Sequence, residues 1–228
     1  MQMRRFADLP QELQNEAVKP YYAHLRKKGF SLFLKRVFDI VFSALLIVLL
    51  SPVMLAVAIW IKCDSVGPVL YKSKRVTRYG KDFTILKFRT MTADADKKGS
   101  LITVSADPRI TRVGKKIRHA RIDEFPQLFN VLAGQMTFVG TRPEVRKYVD
   151  AYTDEMMATL LLPAGITSKA SITYRNEDER MALFIKEGKT VDQAYTQDIL
   201  PEKMKYNLES IKNYSFVDDI KTCIKTVF

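Results

Sequence analysis

The pattern of apolar and polar positions is dominated by one stretch. Residues 40–61 run for 22 positions without a charge, and a helix crossing a bilayer needs about 20 such residues. Ser51-Pro52 lies near the middle. Proline removes a backbone donor there and clashes with the preceding turn, so a kink is expected. Both flanks are basic: Arg26, Lys27, Lys28, Lys35 and Arg36 precede the stretch, and Lys62, Lys72, Lys74, Arg75 and Arg78 follow it. Lys and Arg beside membrane segments stay cytoplasmic. A straight span would carry one basic flank across, whereas a helix that bends at Ser51-Pro52 and returns keeps both on one side. The flanks favour this re-entrant reading over a kinked span, which proline also permits. Lys35 and Arg36 are expected to snorkel to the headgroups. Asp39 is expected to pair with Arg36 or a basic residue on the returning side, or to stand alone at the interface.

Elsewhere the pattern predicts short elements. A polar leader, residues 1–29, reads as helical with an interruption at Pro20-Tyr21-Tyr22. After a turn at Gly67-Pro68, the runs 69–71 and 83–88 predict a hairpin through Tyr79-Gly80-Lys81-Asp82. Residues 92–101 read as a polar loop and 110–120 as a basic helix, and a short helix over 126–132 stops at Gly134. Val145, Tyr148, Val149, Tyr152, Met156, Met157, Leu160 and Leu161 recur at i, i+3 and i+4, predicting one amphipathic helix over 144–162. Residues 166–174 read as a strand, and 177–187, 191–200 and 201–214 as helices. The last helix, 216–227, is capped by Ser215, and its apolar stripe fits a membrane surface or the domain core equally. The predicted fold class is α+β. It comprises a polar leader (1–33), a re-entrant membrane helix–break–helix (34–62) and a small, mainly helical cytoplasmic domain (63–228). That domain carries a short β-hairpin or sheet and membrane-lying amphipathic helices.

Composition narrows the partners. The 167 residues after the apolar stretch suffice for one domain with its own core. No cleaved signal peptide is expected, because the apolar run begins about 40 residues in and exceeds the 7–15 residues of a signal core. Cys63 and Cys223 suggest neither a disulfide framework nor zinc. The net charge of +12 divides into +4 over residues 1–61, +11 over 62–121 and −3 over 122–228. The excess just after the membrane stretch suits anionic lipid headgroups, at about 1 kcal/mol per residue, or a phosphorylated substrate. Nucleic acid fits least, since no nucleic-acid motif accompanies the basic run.

The main candidate for chemistry is Ile122-Asp123-Glu124-Phe125-Pro126-Gln127. Two adjacent carboxylates fall at a predicted helix start, where free N–H groups and the positive end of the dipole gather. Just after a basic segment, such a pair could hold Mg²⁺ and offer an oxygen nucleophile. For the bare pair, helix capping by a surface acid is the commoner role. Asp94-Ala95-Asp96 has the form of a metal-binding Asp-x-Asp but reads as a solvated turn. Gly188-Lys189-Thr190 is no Walker loop, because Leu183 stands where the upstream glycine is required. His24 and His119 lack ligand partners at useful spacing. Arg142-Pro143-Glu144 suits phosphate contact, although an ordinary loop is the default.

Together these landmarks resemble the bacterial sugar transferases, the monotopic phosphoglycosyl transferases that begin glycan assembly on polyprenol phosphate. The resemblance runs from about residue 34 onward. It rests on Lys35-Arg36-Val37-Phe38-Asp39, Ser51-Pro52, Gly67-Pro68, Lys87-Phe88-Arg89-Thr90-Met91, Asp107-Pro108-Arg109-Ile110-Thr111, Ile122 to Gln127, Asn130-Val131, Val139 to Pro143, Pro163 to Thr167 and Arg175-Asn176. With no large multi-span domain ahead of these landmarks, the chain resembles the minimal form. The resemblance implies a re-entrant helix in the cytoplasmic leaflet of a bacterial inner membrane, broken at Ser51 and Pro52. It implies that Asp123 attacks the sugar-bearing phosphate of a UDP-sugar, that UMP leaves, and that polyprenol phosphate then takes the phosphosugar from the aspartyl intermediate. Glu124, with Asp123, would hold Mg²⁺. Lys87, Arg89, Arg118 and Arg142 with Pro143 are the implied phosphate contacts, Arg175 and Asn176 lie in a family landmark, and Asp198 matches a family acid. The partners implied are a UDP-sugar, polyprenol phosphate and the phospholipid bilayer, without nucleic acid; a homodimer is compatible with the sequence. Two departures stand out: Thr141 replaces the first proline of Pro-Arg-Pro, and residues 168–174 replace the usual Gly-Trp-Ala-Gln-x-x-Gly. The alternative is a non-catalytic membrane-surface adaptor that holds anionic lipid through its basic segment; it predicts that Asp123→Asn is harmless.

Overall fold

The computed structural model describes residues 1–92, 95, 107–174 and 176–227. The leader forms two single 3-10 turns and helix α1 (Lys19–Lys27), then runs into α2 (Gly29–Asp64). The 36 residues of α2 form one helix with Pro52 inside it, about 54 Å long at 1.5 Å per residue. Pro52 has no N–H for the carbonyl of Val48, four residues back, and Ser51 Oγ donates to that oxygen instead at 2.8 Å. Serine before proline thus repairs the bond that proline breaks, which matters most where no water can do so. Only 11% of the most apolar 18-residue window of α2 is buried. Leu45, Val48, Leu49, Val53, Leu55 and Ile59 are exposed, so this is not the buried helix of a core.

Both ends of α2 are fastened to the same domain. Lys35 is buried rather than snorkelling: its ammonium donates to the Val139 carbonyl (2.6 Å) and to Asp219 (2.8 Å). Arg36 likewise turns inward and donates to the carbonyls of Val131 and Leu132, the open end of a helix. Asp39 is fully buried and accepts from the Thr137 hydroxyl and the Phe138 N–H. Among the described residues it is neither a lone interfacial acid nor hydrogen-bonded to a basic side chain. At the other end, Val57 and Ile61 pack with Phe88, Val113 and Ile117.

Strands β1 (Leu70–Val76) and β2 (Asp82–Phe88) form the expected hairpin, antiparallel from Leu70 opposite Phe88 to Val76 opposite Asp82. The basic helix α3 (Arg112–His119) is capped by Thr111, whose hydroxyl accepts from Gly114 N. A 3-10 turn (Ile122–Glu124) and α4 (Gln127–Leu132) follow. Strand β3 (Met136–Val139) pairs in parallel with β4 (Ala164–Thr167). Gly165 packs against Gly140 so closely that a Cβ built on it would lie 2.2 Å from the Gly140 nitrogen. Gly165→Ala is therefore expected to cost about 1–3 kcal/mol, measurable as a lowered denaturation midpoint.

Three sequence expectations fail here. Residues 144–162 do not make one amphipathic helix. A single turn, α5 (Arg146–Val149), and a 3-10 segment (Met156–Leu161) are separated by a loop in which Thr153 Oγ1 accepts from Met156 N. That hydroxyl takes a backbone donor at the start of the second segment, and the periodic apolar residues serve two different cores. Residues 168–174 are not strand: Ser168 caps a short helix, α6 (Lys169–Thr173), by accepting from Ser171 N. Asp123 and Glu124 do not begin α4; they sit in the separate 3-10 turn before it. The remaining helices are α7 (Glu177–Lys186), α8 (Val191–Ala194), α9 (Leu200–Lys212) and α10 (Phe216–Val227); one π-helical turn joins α8 to α9.

The leader is part of the core. Leu9, Leu13, Val18, Tyr21, Tyr22 and Leu25 are buried in one cluster with Val76, Leu161 and Ile211. Leu13 is 1% exposed, and Leu13→Ala should destabilise the protein by about 2–5 kcal/mol, read as a fall in the thermal midpoint.

Candidate active site

A cleft of about 2250 Å³ opens between the hairpin, α3, the 122–124 turn and the α6–α9 helices, and Leu46 and Leu50 of α2 also reach it. Asp123 and Glu124 lie on its wall. The turn that presents them is entered through Arg121 at φ 57°, a left-handed conformation that costs a non-glycine residue roughly 1–3 kcal/mol. A ladder of side-chain bonds holds the turn against β2. Asn130 Oδ1 accepts from Leu86 N (3.0 Å), while its Nδ2 donates to the Thr84 carbonyl (2.8 Å). This pins α4, and the turn before it, to the strand carrying Lys87. Asn130→Leu should leave both edge groups unsatisfied, at about 1–3 kcal/mol each, and should weaken activity by shifting Lys87 from Glu124.

Lys87 Nζ meets Glu124 Oε1 at 2.7 Å, and Arg142 Nη2 meets the same oxygen at 3.1 Å. Burial alone would raise the Glu124 carboxyl, but the Arg142 guanidinium and the Lys87 ammonium overcome it and hold the group far below the usual range. Asp123 goes the other way. Burial and the neighbouring Glu124 charge push it up, against the pull of Lys87, Arg118 and Arg121. Among the described residues no hydrogen bond reaches the Asp123 carboxylate, and none reaches Glu124 Oε2. The adjacent acids therefore have different duties. Glu124 is an anion fixed between two cations, whereas the Asp123 carboxylate lines the cleft with its oxygens unpaired among the described residues.

No group of three or more His, Cys, Asp or Glu gathers among the described residues. Mg²⁺, however, commonly takes only one or two carboxylates and completes its shell with water and substrate phosphate. The unbonded oxygens of Asp123 and Glu124 fit that donor chemistry.

The structure sorts the other sequence candidates. Lys87, Arg118, Arg142 and Pro143 line the cleft with the acid pair. Arg89 also lines it, but its guanidinium donates to the carbonyls of Ser65 and Val66 at the end of α2. Asp198 is ion-paired with Lys189 at 2.7 Å and, like Asn176, stands outside the cleft lining. Arg175, Asp94 and Asp96 lie outside the described residues. Sequence reasoning missed Glu144, Glu177 and Lys203, which the fold brings to the cleft. Only the adjacency of Glu144 to Arg142-Pro143 could have signalled the first.

Residues 30–228 fit the family model described as bacterial sugar transferase. The chain is 37% identical over 198 residues to a UDP-N-acetylgalactosamine-undecaprenyl-phosphate N-acetylgalactosaminephosphotransferase of Aeromonas hydrophila, covering 86% of this chain and 43% of that protein. It is 32% identical over 222 residues to the UDP-glucose:undecaprenyl-phosphate glucose-1-phosphate transferase of Escherichia coli, covering 96% and 44%. A protein of the same name from Caulobacter vibrioides is 34% identical over 197 residues, covering 85% and 68%. The chain spans less than half the length of the first two. With the family model matched from residue 30 to the last, the chain belongs to the bacterial sugar transferase family.

Proposed function

We propose that the protein transfers a sugar-1-phosphate from a UDP-sugar to polyprenol phosphate at the cytoplasmic face of a bacterial membrane, as the first step of a surface glycan. The observation that carries this reading is the unbonded carboxylate of Asp123 beside the Lys87–Glu124–Arg142 ion pairs on the cleft wall. An Asp123 oxygen attacks the sugar-bearing phosphorus. The bond from that phosphorus to the bridging oxygen breaks, and UMP leaves with that oxygen. A phosphate oxygen of the acceptor then attacks the same phosphorus, the bond to Asp123 breaks, and the carboxylate is restored with polyprenyl-diphospho-sugar as product. Lys87, Arg118 and Arg142 draw the donor diphosphate and offset charge as it shifts to the leaving group. Mg²⁺ held by Asp123 and Glu124 would supply further charge neutralisation. EDTA is expected to stop UMP release and Mg²⁺ to restore it; full activity in EDTA would remove the metal from the account.

The fastening of α2 supports a re-entrant membrane pose. With Lys35, Arg36 and Asp39 tied to the domain at one end and Val57 and Ile61 at the other, a straight span would need the domain on both faces of the bilayer. A re-entrant α2, bent about Ser51-Pro52, leaves the whole domain on one face. The exposed Val217 and Ile224 of α10 and Phe129 of α4 would rest on the same leaflet. Incubating the purified protein with radiolabelled UDP-sugars and polyprenol phosphate tests the chemistry: lipid-linked label is expected, and none with any common UDP-sugar would refute it.

A further inference from the structure

The cleft has two ends of different chemistry. Around Asp123 it is cationic, with Lys87, Arg118 and Arg142. Next to Arg142 it carries Glu144 and Glu177 together with Lys203 of α9. These ends are electrically continuous, since Glu144 and Glu177 both act on the Arg142 guanidinium. This second end suits phosphate less than the first: Lys203 is matched by Glu177, and Glu144 adds a further carboxylate.

Lys203 is the unusual group here. The residue is 5% exposed, and lysine is seldom so buried. Its ammonium has three protons. One goes to Glu177 Oε2 at 2.9 Å, and the charge lies 5.4 Å from the Tyr195 ring centroid. No other hydrogen bond to it is present among the described residues, so a buried ammonium with unspent donors stands on the cleft wall. Buried donors ordinarily find partners. Glu177 can accept further bonds, and the Tyr195 hydroxyl already donates to Glu144 Oε1 at 2.6 Å. This side is thus a fixed set of donors and acceptors for neutral hydroxyl or amide groups.

We infer that Lys203, with Glu177, binds the hydroxyl or acylamino groups of the donor's sugar ring and helps to determine which UDP-sugar is used. The inference rests on the transferase reading above and gives its cleft a sugar end. Stereochemistry supports the sugar over the uridine. In an in-line displacement the nucleophile and the leaving UMP stand on opposite sides of phosphorus. The sugar oxygen is equatorial, so the ring extends off that axis, away from both Asp123 and the leaving UMP. Lys203 and Glu177 share the cleft lining with Arg142 and offer partners for neutral groups off that axis.

The test compares wild type with Lys203→Met and Glu177→Gln, using UMP release from UDP-glucose, UDP-galactose and their two N-acetylhexosamine counterparts, with UMP inhibition measured in parallel. The Glu177 side chain is 32% exposed, so its variant keeps a folded comparison if the lysine variant is unstable. The expected result is an approximately tenfold or larger change in the ratio of kcat/KM between donors, as for a site that hydrogen-bonds a substrate hydroxyl, with the UMP inhibition constant within twofold. A uniform loss for all donors with weakened UMP inhibition would assign this end to the nucleotide and overturn the inference. An unchanged donor ratio with only a lower thermal midpoint would make the pair structural and overturn it equally. UMP release by wild type from no donor would instead refute the transferase reading, and the inference with it.

Discussion

Asp123→Asn is expected to abolish sugar-phosphate transfer, lowering kcat at least ~10³-fold, as loss of a catalytic nucleophile does, while the fold survives. Asparagine matches aspartate in shape but cannot form the acyl-phosphate bond. Stability should hold or rise slightly. The wild-type carboxylate is disfavoured by burial and by Glu124 next to it, and among the described residues it receives no hydrogen bond that the substitution would break. UMP release and a thermal melt on the same preparation check both parts. Full activity would leave Asp123 without a catalytic role and revive the adaptor reading; collapse of the fold would make it structural.

Lys87→Met is expected to have the second largest effect. Its ammonium both holds Glu124 at 2.7 Å and adds positive charge where the diphosphate would bind. Its loss should reduce kcat/KM about 10²–10³-fold, the scale of removing one preorganised electrostatic contact. Glu124 would then depend on Arg142 alone, at 3.1 Å. Breaking one arm of a buried pair costs up to about 3–5 kcal/mol, so the thermal midpoint should fall too. Lys87→Arg should recover stability and only part of the activity, because a planar fork cannot reproduce a point donor at this spacing. Equal losses in both variants would show that the geometry of the Lys87 ammonium, rather than its charge alone, is required.

What the sequence discloses follows from how local each signal is. The 22 uncharged residues announce α2, because an apolar run acts through neighbouring residues; the break expected at Ser51-Pro52 is not seen, since α2 runs unbroken through Pro52. The hairpin and the basic helix α3 are legible for the same reason. Residues 144–162 mislead because two short segments facing different cores can imitate a single helical period. Residues 168–174 mislead because one hydroxyl, on Ser168, turns an apparent strand into a capped helix. Asp123 and Glu124 are found by their adjacency, yet their division of labour is set by Lys87, 37 positions before Glu124, and Arg142, 18 positions after it. No local pattern carries that. Lys203 gives no sign at all; among the charges of α9 it reads as solvated, and only the tertiary fold buries it beside Tyr195 and Glu177. The leader likewise reads as polar, although its scattered apolar residues fill the core beside Val76 and Leu161.

The central claim is that Asp123 becomes covalently phosphorylated by its donor. It is tested most directly by mixing the purified protein with Mg²⁺ and a turned-over UDP-sugar in the absence of polyprenol phosphate, quenching in acid, and mapping peptides by mass spectrometry. The account predicts a sugar-phosphate adduct on the Asp123 peptide, absent from Asp123→Asn and discharged on adding polyprenol phosphate. UMP released only when acceptor is present, with Asp123 never modified, would mean direct transfer between the two substrates and would contradict it.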